Sequence, residues 1–235
     1  MDLFVTLSYN LIEMTKYTIN TLVDSYPDEF RRMHWALFHS ESGPENVSVQ
    51  LTASRITEGV SSTALGFTKF VSELWGFESV VAVEANFRNP CFAETLGLPS
   101  GKSLFAALEN PDLVFENIEH SEDFNIQVIK ATMGLDSSKN LTIEFLLENL
   151  GQVLTRLKQR HRLIVVDSPP MIPYVDAKII GEQVDRSIIV VEANSTKQQV
   201  LEFAINKTKS ARTNILGLVL NKRELHIPKW VYRFI

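Results

Sequence analysis

The 235 residues are an ordinary length for one α/β domain, and 45% hydrophobic against 22% charged residues supply a full core and exclude a disordered chain. A formal net charge of −5 gives no overall drive towards nucleic acid. The single cysteine, Cys91, excludes an internal disulfide and a metal site built of cysteines. It suits a reducing compartment.

In chain order, residues 9–24 have rough helical spacing, with Tyr9, Leu11, Ile12, Met14, Ile19, Leu22 and Val23 as the apolar positions. Pro27 then opens a second helix, with Asp28 and Glu29 in its first turn where the helix dipole favours acids. Gly43-Pro44-Glu45-Asn46 is a turn, and a strand follows over 47–53. Beyond it the pattern predicts helices over 61–75, 90–96, 102–109, 141–160, 175–183 and 196–211. Between them it predicts strands over 79–84, 125–130, 162–167, 186–192 and 215–220. Three of these are near-continuous apolar runs: Leu163-Ile164-Val165-Val166, Ile188-Ile189-Val190-Val191 and Ile215–Leu220. Strands buried on both faces and separated by helices mean a mostly parallel sheet in a three-layer αβα arrangement. No apolar run approaches the length of a membrane span, and Met1-Asp2 opens no secretory signal, so the expected location is cytoplasmic.

The loop between the 47–53 strand and the next helix reads Thr52-Ala53-Ser54-Arg55-Ile56-Thr57-Glu58-Gly59-Val60-Ser61-Ser62-Thr63. Set on the P-loop pattern G-x-x-x-x-G-K-[ST], Gly59 and Ser61 fit, Ser54 stands for the first glycine, and Val60 occupies the lysine position. Two further apolar strands end in acids, Val80–Glu84 and Leu163–Asp167, where ligands of open α/β sheets bind.

Together these segments resemble the bacterial tyrosine kinases of capsule and exopolysaccharide synthesis, within the wider class of ParA- and MinD-like ATPases. The resemblance covers about residues 28–225. It implies a P-loop NTPase-like domain over 28–235, preceded by a helical extension over 1–27. Asp167-Ser168-Pro169-Pro170 matches the family's D-x-P-P, with Asp176 beyond it. Glu84-Ala85-Asn86-Phe87-Arg88 stands at D-x-D-x-R, with a longer first acid and an uncharged second position. Asp28-Glu29-Phe30-Arg31-Arg32-Met33-His34 resembles the assembly helix E-x-x-R-x-x-R, which makes Asp28, Arg31 and His34 the oligomerisation residues.

By the same resemblance, Arg55, Glu58, Gly59, Ser61, Ser62 and Asn221 are nucleotide-site candidates, with Asn221 towards adenine. Ser61 and Asp167 are candidates for magnesium, and Glu84 and Asp167 are vestigial catalytic acids. Each has an ordinary alternative: Asp167 and Glu84 as caps after buried strands, Asn221 as turn chemistry, Arg55 as a solvated loop residue. Arg55, five residues before Val60, is also the candidate for a substitute cation. The departures fall on phosphoryl transfer. Val60 removes a cation, Thr57 is β-branched where the family has glycine, and one tyrosine, Tyr232, stands where the kinases carry a terminal cluster.

The expectation is therefore a regulatory or scaffold subunit of polysaccharide synthesis with weak or no ATP turnover, ATP or ADP and Mg2+ being weakened cofactors. Its partners would be a membrane co-polymerase, a related kinase or a second copy. The alternatives are an active ATPase or tyrosine kinase using Arg55, and a MinD-like positioning ATPase. The latter would touch the inner membrane face through Lys222, Arg223, Lys229 and Arg233, interleaved with Trp230, Tyr232 and Phe234. The five histidines show no metal-ligand spacing, so spacing alone gives no zinc site.

Overall fold

The computed structural model describes residues 3–6, 16–39, 45–131, 143–209 and 213–222. Its centre is an eight-stranded sheet in the order β1-β8-β7-β2-β6-β3-β5-β4. The strands are β1 Leu3–Thr6, β2 Val47–Ala53, β3 Val80–Glu84, β4 Glu119–Ser121, β5 Ile126–Ile129, β6 Leu163–Asp167, β7 Arg186–Glu192 and β8 Ile215–Asn221. All neighbours run parallel except β4, which pairs antiparallel with β5.

The apolar runs are buried on both faces, as a parallel sheet requires. In β6, Leu163 and Val165 join one core cluster while Ile164 and Val166 join another. In β7, Ile188 and Val190 point to the first cluster and Ile189 and Val191 to a third. The first face is covered by α1 Lys16–Ser25, α2 Pro27–Phe38 and α3 Val60–Trp75. The opposite face is covered by α5 Leu104–Glu109, α6 Ile143–Leu157, α7 Asp176–Gln183 and α8 Gln198–Lys209. The short α4, Phe92–Leu96, seats Phe92 and Leu96 beside Phe124, Ile126 and Val128. Among the described residues, no helix is long and apolar enough to cross a membrane.

The strands β1 and β4 and the 3-10 turn Pro111–Asn117 lie outside the predicted set. β1 pairs with β8 from Leu3↔Gly217 to Thr6↔Leu220, so the segment expected as a purely helical extension supplies an edge strand. α1 from the same segment buries Ile19, Leu22 and Val23 completely or nearly so. β4 and the 3-10 turn Pro111–Asn117 fill the opposite edge. Three residues are too few to establish a strand period, and β4 is fixed instead by its register with β5 and the buried Lys130–Glu119 ion pair.

Candidate functional site

The register sets the site. Leu51 near the end of β2 lies opposite Asp167 of β6, and Asp167 in turn lies opposite Glu84 of β3. The two acids therefore stand side by side at the carboxyl edge, directly beneath the 54–59 loop.

The loop is held from inside by the carboxylate of Glu58, a residue that is 1% exposed. Ser54 Oγ donates to it at 2.9 Å, the Arg55 N–H at 2.9 Å, and Thr196 Oγ1 from the β7–α8 turn completes the set. Asn221 Nδ2 donates to the Glu58 carbonyl at 2.8 Å, and Lys222 Nζ to the Thr57 carbonyl at 2.6 Å. Thr57 sits at φ 66° and Gly59 at φ 88°. The glycine takes this left-handed turn at little cost, whereas the β-branched Thr57 is strained there. α3 then starts at Val60, and Thr63 Oγ1 donates to the Gly59 carbonyl at 2.8 Å.

A cleft of about 580 Å³ opens over this loop, lined by residues 55–62, Asn86, Arg88, Asn89, Cys91, Ser168, Pro170, Tyr174 and Lys222. Three cations reach it. Arg88 donates to Asp176 at 2.9 and 3.3 Å and lies 5.2 Å over the Tyr174 ring. Lys222 also lies 3.6 Å from Glu192. Arg55 donates to two hydroxyls, Ser195 Oγ at 3.2 Å and Thr196 Oγ1 at 3.0 Å, while its buried Nε has no partner among the described residues.

Below the cleft, Ser61 Oγ donates to Asp167 Oδ2 at 2.7 Å, and Asp167 Oδ1 is buried with no partner among the described residues. Burial pushes the Asp167 carboxyl well above its ordinary value, more than the Ser61 hydrogen bond lowers it, and the Glu84 charge adds to the rise. Glu84 is raised by burial too, against the N–H groups of Cys91, Phe92 and Ala131 that hold its oxygens. An unpartnered, wholly buried carboxylate oxygen beside a hydroxyl is a donor set that fits a divalent cation. Ser61 and Asp167 are the residues that would hold it. The loop N–H groups at the start of α3 fit phosphate oxygens.

The structure thus brings Arg55, Glu58, Gly59, Ser61 and Ser62 to one cleft and sets the wholly buried Asp167 and Glu84 behind its lining residues Ser61 and Cys91. Asn221 is separated from the cleft. It is wholly buried, its amide spent on the Glu58 carbonyl and its oxygen accepting the Lys222 N–H, so it braces the loop from below. Asp28 and Arg31 form an exposed ion pair on α2. His34 corrects the third member of that set: it is buried with Phe30, Met33 and Leu37 on the inner stripe of the helix and packs on Trp75.

Arg88, Lys222 and Cys91 are cleft residues that the sequence reading left without a nucleotide role. Lys222 was grouped with the terminal cluster, whose other members lie outside the described residues. Its position one residue past an apolar strand was the signal for a place at the sheet's carboxyl edge.

No protein-family model matches the chain. Among curated proteins, it is 27% identical over 108 residues to the tyrosine-protein kinase CpsD of Streptococcus pneumoniae serotype 4, covering 46% of this chain and 48% of that one. It is 20% identical over 195 residues to the putative tyrosine-protein kinase CapB of Staphylococcus aureus, covering 83% of each. Its fold matches the kinase domain of the Escherichia coli tyrosine kinase ETK with a TM-score of 0.78, over 96% of this chain and 92% of that one at 17% identity. The chimerical protein CapA2B2 matches at 0.75, 17% identity and 94% of each chain. MinD in the Aquifex aeolicus MinC:MinD complex shares the scaffold more distantly, at 0.57 and 17% identity over 74% of this chain and 68% of that one. In sequence the chain is similar to bacterial tyrosine-protein kinases, and in fold it is similar to the ETK kinase domain and, more distantly, to the P-loop scaffold of MinD.

Proposed function

We propose that this chain is a regulatory or scaffold subunit of polysaccharide synthesis or export, binding ATP or ADP with Mg2+ weakly and turning it over slowly or not at all. The observation that carries this reading is Val60. It heads α3 and lines the cleft at the position where the P-loop pattern puts the phosphate-binding lysine. Positioned charge accounts for most of phosphoryl transfer, and one lost contact of this kind costs about 3–4 kcal/mol in the transition state. Asn86 removes a second charge from the same cleft, and its Oδ1 accepts the Asn89 N–H at 3.3 Å. The loop itself is well organised around Glu58, which favours a retained binding surface over a decayed one.

The outer face of α2 supports a role in assembly. It presents the Asp28–Arg31 pair and Trp35, 59% exposed and stacked on His39. A membrane co-polymerase, a related kinase or a second copy would dock there.

Calorimetry with ATP and Mg2+ on the purified chain tests the reading. Weak binding by the native protein and at least about tenfold tighter binding by Val60→Lys are expected. Tight native binding with turnover and tyrosine phosphorylation would overturn it. Arg55 favours a second reading, since among the described residues no acid pairs with it and its guanidinium rests on two hydroxyls. If Arg55 is a substitute cation, Arg55→Ala abolishes the native affinity. Unchanged affinity rejects it.

A further inference from the structure

Cys91 stands on the cleft wall at the start of α4, where its Sγ and one oxygen each of Glu84 and Asp167 lie within 4.8 Å of one another. We propose that these three side chains form a site for a thiophilic divalent cation of the zinc class just behind the cleft wall. The inference deepens the weakened-magnesium reading above, since the same Asp167 would serve an ion of different preference, and it requires no nucleotide.

Three observations converge. Asp167 Oδ1 is buried and has no hydrogen-bond partner among the described residues, while Oδ2 is fixed by Ser61. Glu84 is locked in orientation by three backbone N–H groups, two on Oε1 and one on Oε2, and such hydrogen bonds hold a ligating carboxylate in place. Half-buried Cys91 supplies the one soft donor, and the open cleft supplies the entry path. Burial, then the charges of Asp167 and Glu84, push the thiol far up from its ordinary value. A dication between the three groups cancels that repulsion, and the thiol proton leaves to solvent as the sulfur–metal bond forms.

Magnesium takes oxygen donors at octahedral geometry and gains nothing from sulfur, whereas Zn2+, Co2+ and Cd2+ select thiolate. Zinc-to-ligand distances of about 2.0–2.3 Å place tetrahedral ligands roughly 3.5 Å apart, so closing the site needs side-chain movements of about 1 Å. Histidine spacing could not reveal this site, because its ligands come from two strand ends and a helix start.

The test is a Co2+ titration of the full metal-free chain without nucleotide, reading the thiolate-to-cobalt charge-transfer absorption. Cys91 is the only cysteine among the 235 residues, so such a band reports this site alone. One equivalent of Co2+ should produce the band, Zn2+ should remove it, and an about hundredfold excess of Mg2+ should leave it in place. Asp167→Asn and Glu84→Gln should each weaken binding by at least about tenfold, so the result does not depend on one variant's folding. No band, a band untouched in both variants, or displacement by equimolar Mg2+ would each overturn the proposal. None of these outcomes bears on ATP affinity, so the two readings fail separately.

Discussion

At position 34 a histidine ring packs edge-on against Trp75, centroids 4.5 Å apart, with Nε2 buried and without a hydrogen-bond partner among the described residues. Burial, with the nearby charges of His39 and Arg162, lowers its pKa below the ordinary 6.5. The unfolded chain therefore binds more protons below pH 6.5. Stability is fully present above that pH and is lost as pH falls towards the folded pKa. Replacing the ring by Phe keeps the aromatic contacts and removes both the unpaired nitrogen and the titration. His34→Phe should add about 1 kcal/mol at pH 7.5, and its advantage over the native chain should widen at pH 5.5. Urea melts at the two pH values measure this, and an advantage that shrinks on acidification would reject the argument. The same residue shows what sequence spacing misses. Positions 28, 31 and 34 step by three on a helix of 3.6 residues per turn, so each lags the last by about 60°. The stripe begins on the exposed side with Asp28 and Arg31 and by residue 34 has rotated onto the apolar side. By contrast Asp167 and Val60 were legible, because a strand end and a helix start fix their places within one residue.

Among the elements, β2 has a polar side that is as buried as its apolar one. Ser48, Gln50 and Thr52 alternate with Val47, Val49 and Leu51 and are all within 2% of full burial. Gln50 Nε2 donates to Ser168 Oγ at 2.8 Å and the Ala177 carbonyl at 2.7 Å, and its Oε1 accepts Ser187 Oγ at 2.8 Å. This ties β2 to α7, to β7 and to the turn after β6. Gly181 of α7 is the point of closest approach, because a Cβ there would meet Gln50 Oε1 at 2.8 Å and Thr213 at 3.0 Å. Helix propensity alone would favour alanine by about 1 kcal/mol. With Gln50 held by three partners, overpacking should win, and Gly181→Ala should cost about 1–3 kcal/mol net. A urea midpoint equal to or above the native one would show that Gln50 gives way freely. Apolar runs made β6, β7 and β8 legible in the sequence. The polar face of β2 was not, since alternating Ser, Gln and Thr reads as a half-exposed strand until its partners are known.

For the molecule as a whole, the decisive question is where the folding unit begins. The sequence motifs shared with the kinases start near residue 28, yet the core does not. α1 closes the first face over α3, with Ile19 and Leu22 at 0 and 1% exposed and Val23 at 5%, and the Leu22 Cβ lies 3.6 Å from where a side chain on Gly66 would start. β1 covers the open edge of β8 over four residue pairs. The helical spacing of 9–24 was readable, but an amphipathic helix does not announce which surface it covers, and a four-residue edge strand has too short a period to be told from a tail. A chain of residues 28–235 would lack those three aliphatic side chains and expose the apolar surface they cover. Each is worth about 1.5–3 kcal/mol when buried, a sum comparable to the whole net stability of a domain. Releasing the ordered segment returns conformational entropy and offsets part of this. The truncated chain should therefore lose about 3 kcal/mol or more in urea melts. With β8 uncovered, its unpaired backbone edge should also drive concentration-dependent self-association, visible in light scattering. A 28–235 chain that stays monomeric and melts at the native midpoint would mean that residues 1–27 rest on a domain already complete without them.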